Sequence, residues 1–390
     1  MIDIKTLLEG MPQAKSSDMH MRVGMPPVYR VHGGLKAAIN TIVTNEDMID
    51  LLKRILTREQ IVKFNEEKEL DFALQINPKL RFRVNLYRQK GTPALAFRLI
   101  NIQIPTLEEL LLPNVLYELS ERHRGIILVT GVTGSGKSTT LASMIDHINQ
   151  TRSLNIVTIE DPIEYIHPNK RSIIAQREVG QDTFSFAESL RRALRQDPDV
   201  ILVGEIRDAI TMQIALSAAD TGHLVLSTLH TLDSVQTIYR IMSFFPPHQH
   251  QEVRMLIAST LQAVISQRLI ARDDQPGRVP AVEVLVGTAA VKECITDPEK
   301  TSGIRDLIQE GSIQYGMQSF DQSLMSFFKR GMISLETALA NSANPDDFKL
   351  RVEGFMSGSD RGWSEFEMKD HKDKNKDGND IEIERMEKDI

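Results

Sequence analysis

One octapeptide constrains this chain more than any other feature: Gly131-Val-Thr-Gly134-Ser-Gly136-Lys137-Ser138, the pattern GxxxxGK[ST]. An apolar run, Ile126 to Val129, precedes it, and a helical pattern, Leu141 to Ile148, follows. Glycines at these places let successive backbone N–H groups turn inward around phosphate oxygens, and the start of a helix adds positive potential. The lysine pairs with the β and γ phosphates, and the hydroxyl beside it ligates Mg²⁺. Such a loop needs a strand before it and a helix after it, which demands an α/β fold. Gly131, Thr133, Gly134, Ser135, Gly136, Lys137, Ser138 and Thr139 are therefore the candidate ATP contacts, with Ser138 a candidate magnesium ligand.

The surrounding pattern agrees. Strand-like runs at Asn155–Ile159, Val200–Val203 and Leu224–Thr228 alternate with helical stretches at Ser185–Arg195 and Ala209–Ala219. These strands are apolar without alternation, which implies a parallel sheet covered on both faces. After Pro246-Pro247 a helical segment, His250 to Ile270, is expected to lead to a last strand, Ala281–Val286, and then to mostly helix through Leu350. Before the break at Ile104-Pro105-Thr106, residues 1–103 read as a small separate α/β domain. It has helices over Ile2–Met11 and Asn45–Phe64, and it closes with two strands, Leu80–Tyr87 and Ala94–Ile100, around a Lys90-Gly91-Thr92-Pro93 turn. Thr106 is expected to cap a helix with Leu107, Leu110 and Leu111 on its apolar side.

With 390 residues the chain has room for two or three domains at roughly 150 residues each. Its net charge of −7 argues against nucleic acid as a partner. The single cysteine, Cys294, excludes an internal disulfide and a thiolate zinc site and reads as an ordinary small apolar residue. No signal-peptide pattern opens the sequence and no long apolar run interrupts it, so a soluble, cytoplasmic protein is expected.

Three further clusters carry candidate chemistry. Asp199-Val-Ile-Leu-Val-Gly204-Glu205 is an apolar strand that ends in an acid, with glycine where many nucleotide hydrolases place a Mg²⁺-binding aspartate. Glu205, at the carboxyl end of that strand, is placed to orient or deprotonate the attacking water. Thr158-Ile-Glu160-Asp161-Pro162-Ile-Glu164 gathers carboxylates that can hold water on Mg²⁺ or position a ribose, which makes Glu160, with Glu205, a candidate near the metal. His223 and His230 flank the strand Leu224–Thr228, and a histidine there can sense the γ-phosphate.

Taken together, VTGVTGSGKSTT, TIEDPIEY, QREVGQDTFSF, LRRALRQDPDVILVGEIRD and TGHLVLSTLHT resemble, in order, the secretion-type P-loop ATPases that power type IV pili. The similarity extends over about residues 1–350 and is greatest to the pilus retraction ATPases of PilT and PilU type. It implies a homohexameric ring whose subunits have a PAS-like N-terminal domain over 1–103 and a RecA-like ATPase domain with C-terminal helices over 104–356. By the same resemblance, Glu160 and Glu164 form an Asp box, Glu205 an atypical Walker B, and His223 and His230 a His box. Arg83 and Arg98, on the two arms of the hairpin, are implied to reach nucleotide phosphates. Gly303-Ile-Arg305-Asp-Leu-Ile308 is similar to the family's AIRNLI segment, with glycine in place of alanine. The implied function is ATP hydrolysis that drives pilus retraction, with an inner-membrane platform protein and possible paralogous pilus ATPases as partners at the cytoplasmic side of the pilus base.

A pilus assembly or type II secretion ATPase is the nearest alternative, disfavoured by the short first domain and the absence of paired Cys-x-x-Cys motifs. A RecA-like nucleic-acid translocase would need a basic channel, which the net charge does not support. A regulator without turnover would be expected to lack Lys137 or Glu205, and both are present. Residues 357–390 hold 11 Asp and Glu against 7 Lys and Arg and read as a disordered tail. Within it, Asp373 to Glu384 satisfies a Ca²⁺-loop spacing but carries Asp380 where an apolar residue is usual, and no flanking amphipathic helices accompany it.

Overall fold

The computed structural model describes residues 2–31, 33–77, 80–100 and 103–354. The tail and its Ca²⁺-loop pattern lie outside the described residues. The chain divides into two compact units, residues 1–103 with Glu164–Ile166, and residues 104–163 with His167 onward.

In chain order the first unit contains α1 (Ile4–Gln13), β1 (Ser16–Arg22), β2 (Val28–Val31), β3 (Gly34–Ala37), α2 (Asn45–Ile55), α3 (Arg58–Glu67), β4 (Glu69–Asn77), β5 (Leu80–Gln89) and β6 (Thr92–Ile100). Its strands form one antiparallel sheet in the order β3-β2-β1-β6-β5-β4. Alternation along β5 sends Phe82, Val84 and Leu86 into a core with Phe97, Met19 and the helices, and leaves Arg83 exposed on the opposite face. Lys90 and Gly91 both have positive φ, as a two-residue hairpin turn requires.

The single helix expected over Asn45–Phe64 is in fact two. Leu56 turns extended, and Thr57 starts α3 through a capping box in which its hydroxyl accepts from Gln60 N while the Gln60 side chain accepts from Thr57 N.

The second unit runs α4 (Val115–Ser120), β7 (Gly125–Thr130), α5 (Lys137–Thr151), β8 (Asn155–Glu160), β9 (Ile173–Glu178), α6 (Phe186–Ala193), β10 (Val200–Val203), α7 (Ala209–Asp220), β11 (Leu224–Leu229), α8 (Ser234–Ser243), α9 (His250–Thr260), β12 (Leu261–Ala271) and β13 (Arg278–Val286). Among the described residues these helices follow: α10 (Ala289–Thr296), α11 (Ile304–Glu310), α12 (Ser312–Tyr315), α13 (Phe320–Lys329), α14 (Leu335–Asn341) and α15 (Pro345–Val352). The sheet order is β13-β12-β7-β11-β10-β8-β9, parallel throughout except for β13. Ile126 and Leu128 enter one core, Ile127 and Val129 the other, and β10 splits in the same way. That is why these strands show no alternation in sequence.

Two expectations fail in this unit. The helix foreseen from His250 to Ile270 stops at Thr260, and the remainder is β12, because β7 offers an open edge with which Leu261–Ser266 pairs in parallel. Thr106 makes its capping bonds with Glu109, but only a turn follows, since Leu111 has a left-handed backbone and Pro113 stands two residues on.

Candidate functional site

The phosphate loop sits at the carboxyl end of β7, and α5 begins at Lys137. Gly131 has φ +141°, and a side chain there would lie 2.3 Å from the Gln267 carbonyl and 2.6 Å from Ser135 Oγ, so only glycine fits. Lys137 is buried, and its ammonium donates to the carbonyls of Gly131 and Val132 at 2.9 and 3.0 Å. The loop therefore already curls around the charge that an incoming phosphate will meet. Ser135 Oγ is buried with no partner among the described residues, as expected of a donor aimed into an anion cradle. Ser138 and Thr139 follow on the first turn of α5, half-buried, while Thr133 and Gly134 are exposed at the loop's tip.

Because β7, β11, β10 and β8 are parallel neighbours, their carboxyl ends place the phosphate loop, His230, Glu205 and Glu160 along one edge of the sheet. Glu205 follows β10 and has 15% of its side chain exposed. It pairs with the Arg207 guanidinium through one oxygen and with His230 Nε2, at 3.1 Å, through the other. Burial, then the positive charges of Lys137 and Arg207, hold the His230 pKa below its ordinary value, so the ring is neutral at pH 7 and donates from Nε2 to the carboxylate. A carboxylate so oriented at a strand end can act on a water. Thr228 Oγ1 bonds the Gly204 carbonyl at 2.8 Å and fixes the turn beneath it.

Glu160 ends β8, its carboxylate accepting from Thr158 Oγ1 at 2.6 Å and Gln176 Nε2 at 3.2 Å. Glu164 is exposed and groups with the first unit. The structure does not bring His223 to this edge. It precedes β11, with Nδ1 2.9 Å from the Ala218 carbonyl, and the six residues of that strand, at about 3.3 Å each, separate it from His230. In the first unit Arg83 and Arg98 are directly opposite on β5 and β6. Arg98 donates to Asp18 Oδ1 at 2.8 Å. Burial works against the Asp18 carboxylate, but its bonds to Arg98 and Ser17 outweigh this and hold its pKa below the ordinary range.

Sequence reasoning missed Gln267, Ser266 and Arg207. Gln267, on β12, accepts from Thr140 Oγ1 at 2.9 Å, and its backbone presses on Gly131. Ser266 Oγ accepts from Thr130 Oγ1 at 2.9 Å, just before the loop. A polar Ser-Gln-Arg run inside an apolar segment was the available signal. Among the described residues no three His, Cys, Asp or Glu side chains converge as a metal site, and no helix is long and apolar enough to cross a membrane.

Residues 2–312 match the family described as type II/IV secretion system protein. The chain is 41% identical over 347 residues to the "type IV pilus retractation ATPase PilT" of Pseudomonas aeruginosa, covering 89% of this chain and 100% of that one. It is 42% identical over 324 residues to a "twitching motility protein" of Neisseria gonorrhoeae, with 83% and 86% covered. Among solved structures, that of the pilus retraction motor PilT with bound ADP aligns with a TM-score of 0.83 at 42% identity, over 89% of this chain and 99% of that one.

Proposed function

Because the chain belongs to the type II/IV secretion system protein family, we propose that it is an ATP-hydrolysing ring motor that drives type IV pilus retraction. The observation that carries this reading is the pairing of a preformed phosphate loop, closed on Lys137, with Glu205 held by His230 on a nearby strand end. Retraction, rather than pilus assembly or secretion, is supported by the likeness to retraction and twitching-motility proteins over most of both chains.

ATP binds with its phosphates in the 131–139 loop, and the Lys137 ammonium transfers from the loop carbonyls to the β and γ phosphates. The oxygen donors gathered here suit Mg²⁺, a hard cation. Ser138 would hold it directly, with the Glu160 and Glu205 carboxylates receiving its waters. When bound, the ion neutralises charge building on the phosphates. Glu205 orients and deprotonates the attacking water, and neutral His230 keeps the carboxylate turned toward it. Arg83 and Arg98 serve as cations for the transferring phosphoryl group, which requires Arg98 to leave Asp18. Glu164 belongs with them on the first unit as a carboxylate of the Asp box. Domain rotation coupled to hydrolysis in a homohexamer then delivers force to an inner-membrane platform protein, with paralogous pilus ATPases as further partners.

The test has two parts. Lys137→Ala should weaken ATP binding, whereas Glu205→Gln should bind ATP and fail to turn it over. Deleting the gene should leave cells with excess, static pili. Bald cells would assign the protein to assembly instead.

A further inference from the structure

The four residues that join β11 to α8, His230 to Asp233, end on a buried polar junction. Ser234, the first residue of α8, is fully buried, and both its N–H and its hydroxyl donate to Glu283 Oε1, at 2.8 and 2.7 Å. Glu283 lies in the middle of β13 and is 8% exposed. Burial raises its pKa, and the two bonds from Ser234 oppose that rise. A carboxyl group in a sheet interior is expensive to keep, and an apolar side chain would pack there at lower cost. What it obtains in this fold is a fixed start for α8.

The other loop positions are tied as well. Thr231 and Thr237 share a hydroxyl bond of 2.7 Å, Thr237 Oγ1 donates to the Asp233 carbonyl, and Asp233 caps α8 by accepting from Gln236 N. Asp233 also faces Arg305 of α11 at 3.6 Å. The anchored loop presents His230 with half of its side chain exposed, at bonding distance from Glu205. On the opposite flank, Glu283 is the cross-strand partner of Ser266, whose hydroxyl takes the Thr130 bond at the foot of the phosphate loop. Glu283 thus stands between the mount of the histidine and the mount of the loop.

We propose that Glu283 is a positioning residue for hydrolysis: by gripping Ser234 it sets the place of His230, and through His230 the place of the Glu205 carboxylate. This rests on the reading of Glu205 as the group that handles the water. Neither Glu283 nor Ser234 is placed to touch nucleotide, so their loss acts on the chemical step and leaves ATP binding largely alone. Glutamine at 283 keeps a carbonyl oxygen that can accept both Ser234 bonds, whereas alanine leaves two buried donors without an acceptor.

The test uses the full-length chain, with turnover and nucleotide affinity read well below each variant's melting midpoint. Glu283→Ala should lower kcat about 10- to 100-fold with ATP affinity within about threefold, and Glu283→Gln should stay within about threefold of wild type in both. Ser234→Ala should lower kcat in the same direction and add nothing to Glu283→Ala, which keeps the idea testable if the latter folds poorly. In a His230→Ala background the effect of Glu283→Ala on kcat should vanish, an outcome that a merely structural role would not produce. Equal losses in both Glu283 variants, or the same loss with and without His230, would overturn the proposal. Normal turnover by Glu283→Ala beside an inactive Glu205→Gln defeats this inference alone. Normal turnover by Glu205→Gln defeats it together with the reading on which it rests.

Discussion

Two glycines of the phosphate loop should respond very differently to the same added methyl group. At Gly131, with φ +141°, the methyl would lie 2.3 Å from the Gln267 carbonyl on β12 and 2.6 Å from Ser135 Oγ, and the first of these is backbone that cannot swing aside. An unfavourable backbone conformation costs about 1–3 kcal/mol, and forcing a group into filled space about 1–3 more. Gly131→Ala should therefore lose about 3–5 kcal/mol. At Gly134, with φ +78°, nothing lies within 4 Å, so only the left-handed backbone is penalised. Gly134→Ala should lose about 1–2 kcal/mol.

Unfolding entropy near 2.1 cal/mol/K per residue gives about 0.5 kcal/mol/K for a unit of roughly 250 residues. Melting midpoints should then fall by about 6–10 °C for Gly131→Ala and about 2–4 °C for Gly134→Ala. Calorimetry of the nucleotide-free protein reads both. Adding ATP should raise the Gly131→Ala midpoint less than the wild-type one, because the distorted loop no longer presents its N–H groups together. Midpoints within about 2 °C of each other would refute the claim that the approach of β12 dictates glycine at 131.

Other outcomes follow from single residues. His167 is buried and its pKa is lowered to about 4, first by burial and then by Lys170, with Asp146 opposing. The unfolded chain takes up this proton near pH 6.5 and the folded chain does not, so stability is full above that value and falls as pH drops toward 4. Between pH 7 and pH 5 the wild type should lose about 2 kcal/mol more than His167→Gln in denaturant titrations, and equal slopes would count against it. Thr140→Val and Gln267→Leu should each cost about 1–3 kcal/mol, while the double variant costs less than their sum, as a melting cycle can show. Arg98→Ala should reduce turnover with ATP affinity little changed; a matched loss of affinity would place the arginine in ground-state binding instead. Glu205→Gln subunits exchanged into wild-type rings should depress activity more steeply than their mole fraction, and a linear decline would indicate independent subunits.

Much of this site was legible because it is local. The phosphate loop is eight consecutive residues whose backbone demands are written in glycine and lysine, and β7, β10 and β11 announce double-sided burial by apolar runs that do not alternate with polar residues. The Thr57-x-x-Gln60 capping box is equally present in the sequence, beneath an apolar stripe that runs on through it. The separation of His223 from His230 also follows from the rise of an extended strand, which carries residues at its two ends to opposite edges of the sheet.

The sequence by itself determined the α/β class, the phosphate loop and the acid at the end of β10, since each depends on neighbours within a few residues. Tertiary structure alone decided the rest. Leu261–Ala271 is apolar enough for either helix or strand, and it becomes a strand because the edge of β7 has backbone hydrogen bonds to satisfy. Only that pairing brings Gln267 against Gly131 and Ser266 against Thr130, and only the antiparallel return of β13 brings Glu283 to Ser234. These are contacts between residues 49 to 136 positions apart, and no local pattern encodes them. Propensity and periodicity act over a turn or a strand, whereas hydrogen-bond satisfaction and close packing act on the assembled sheet.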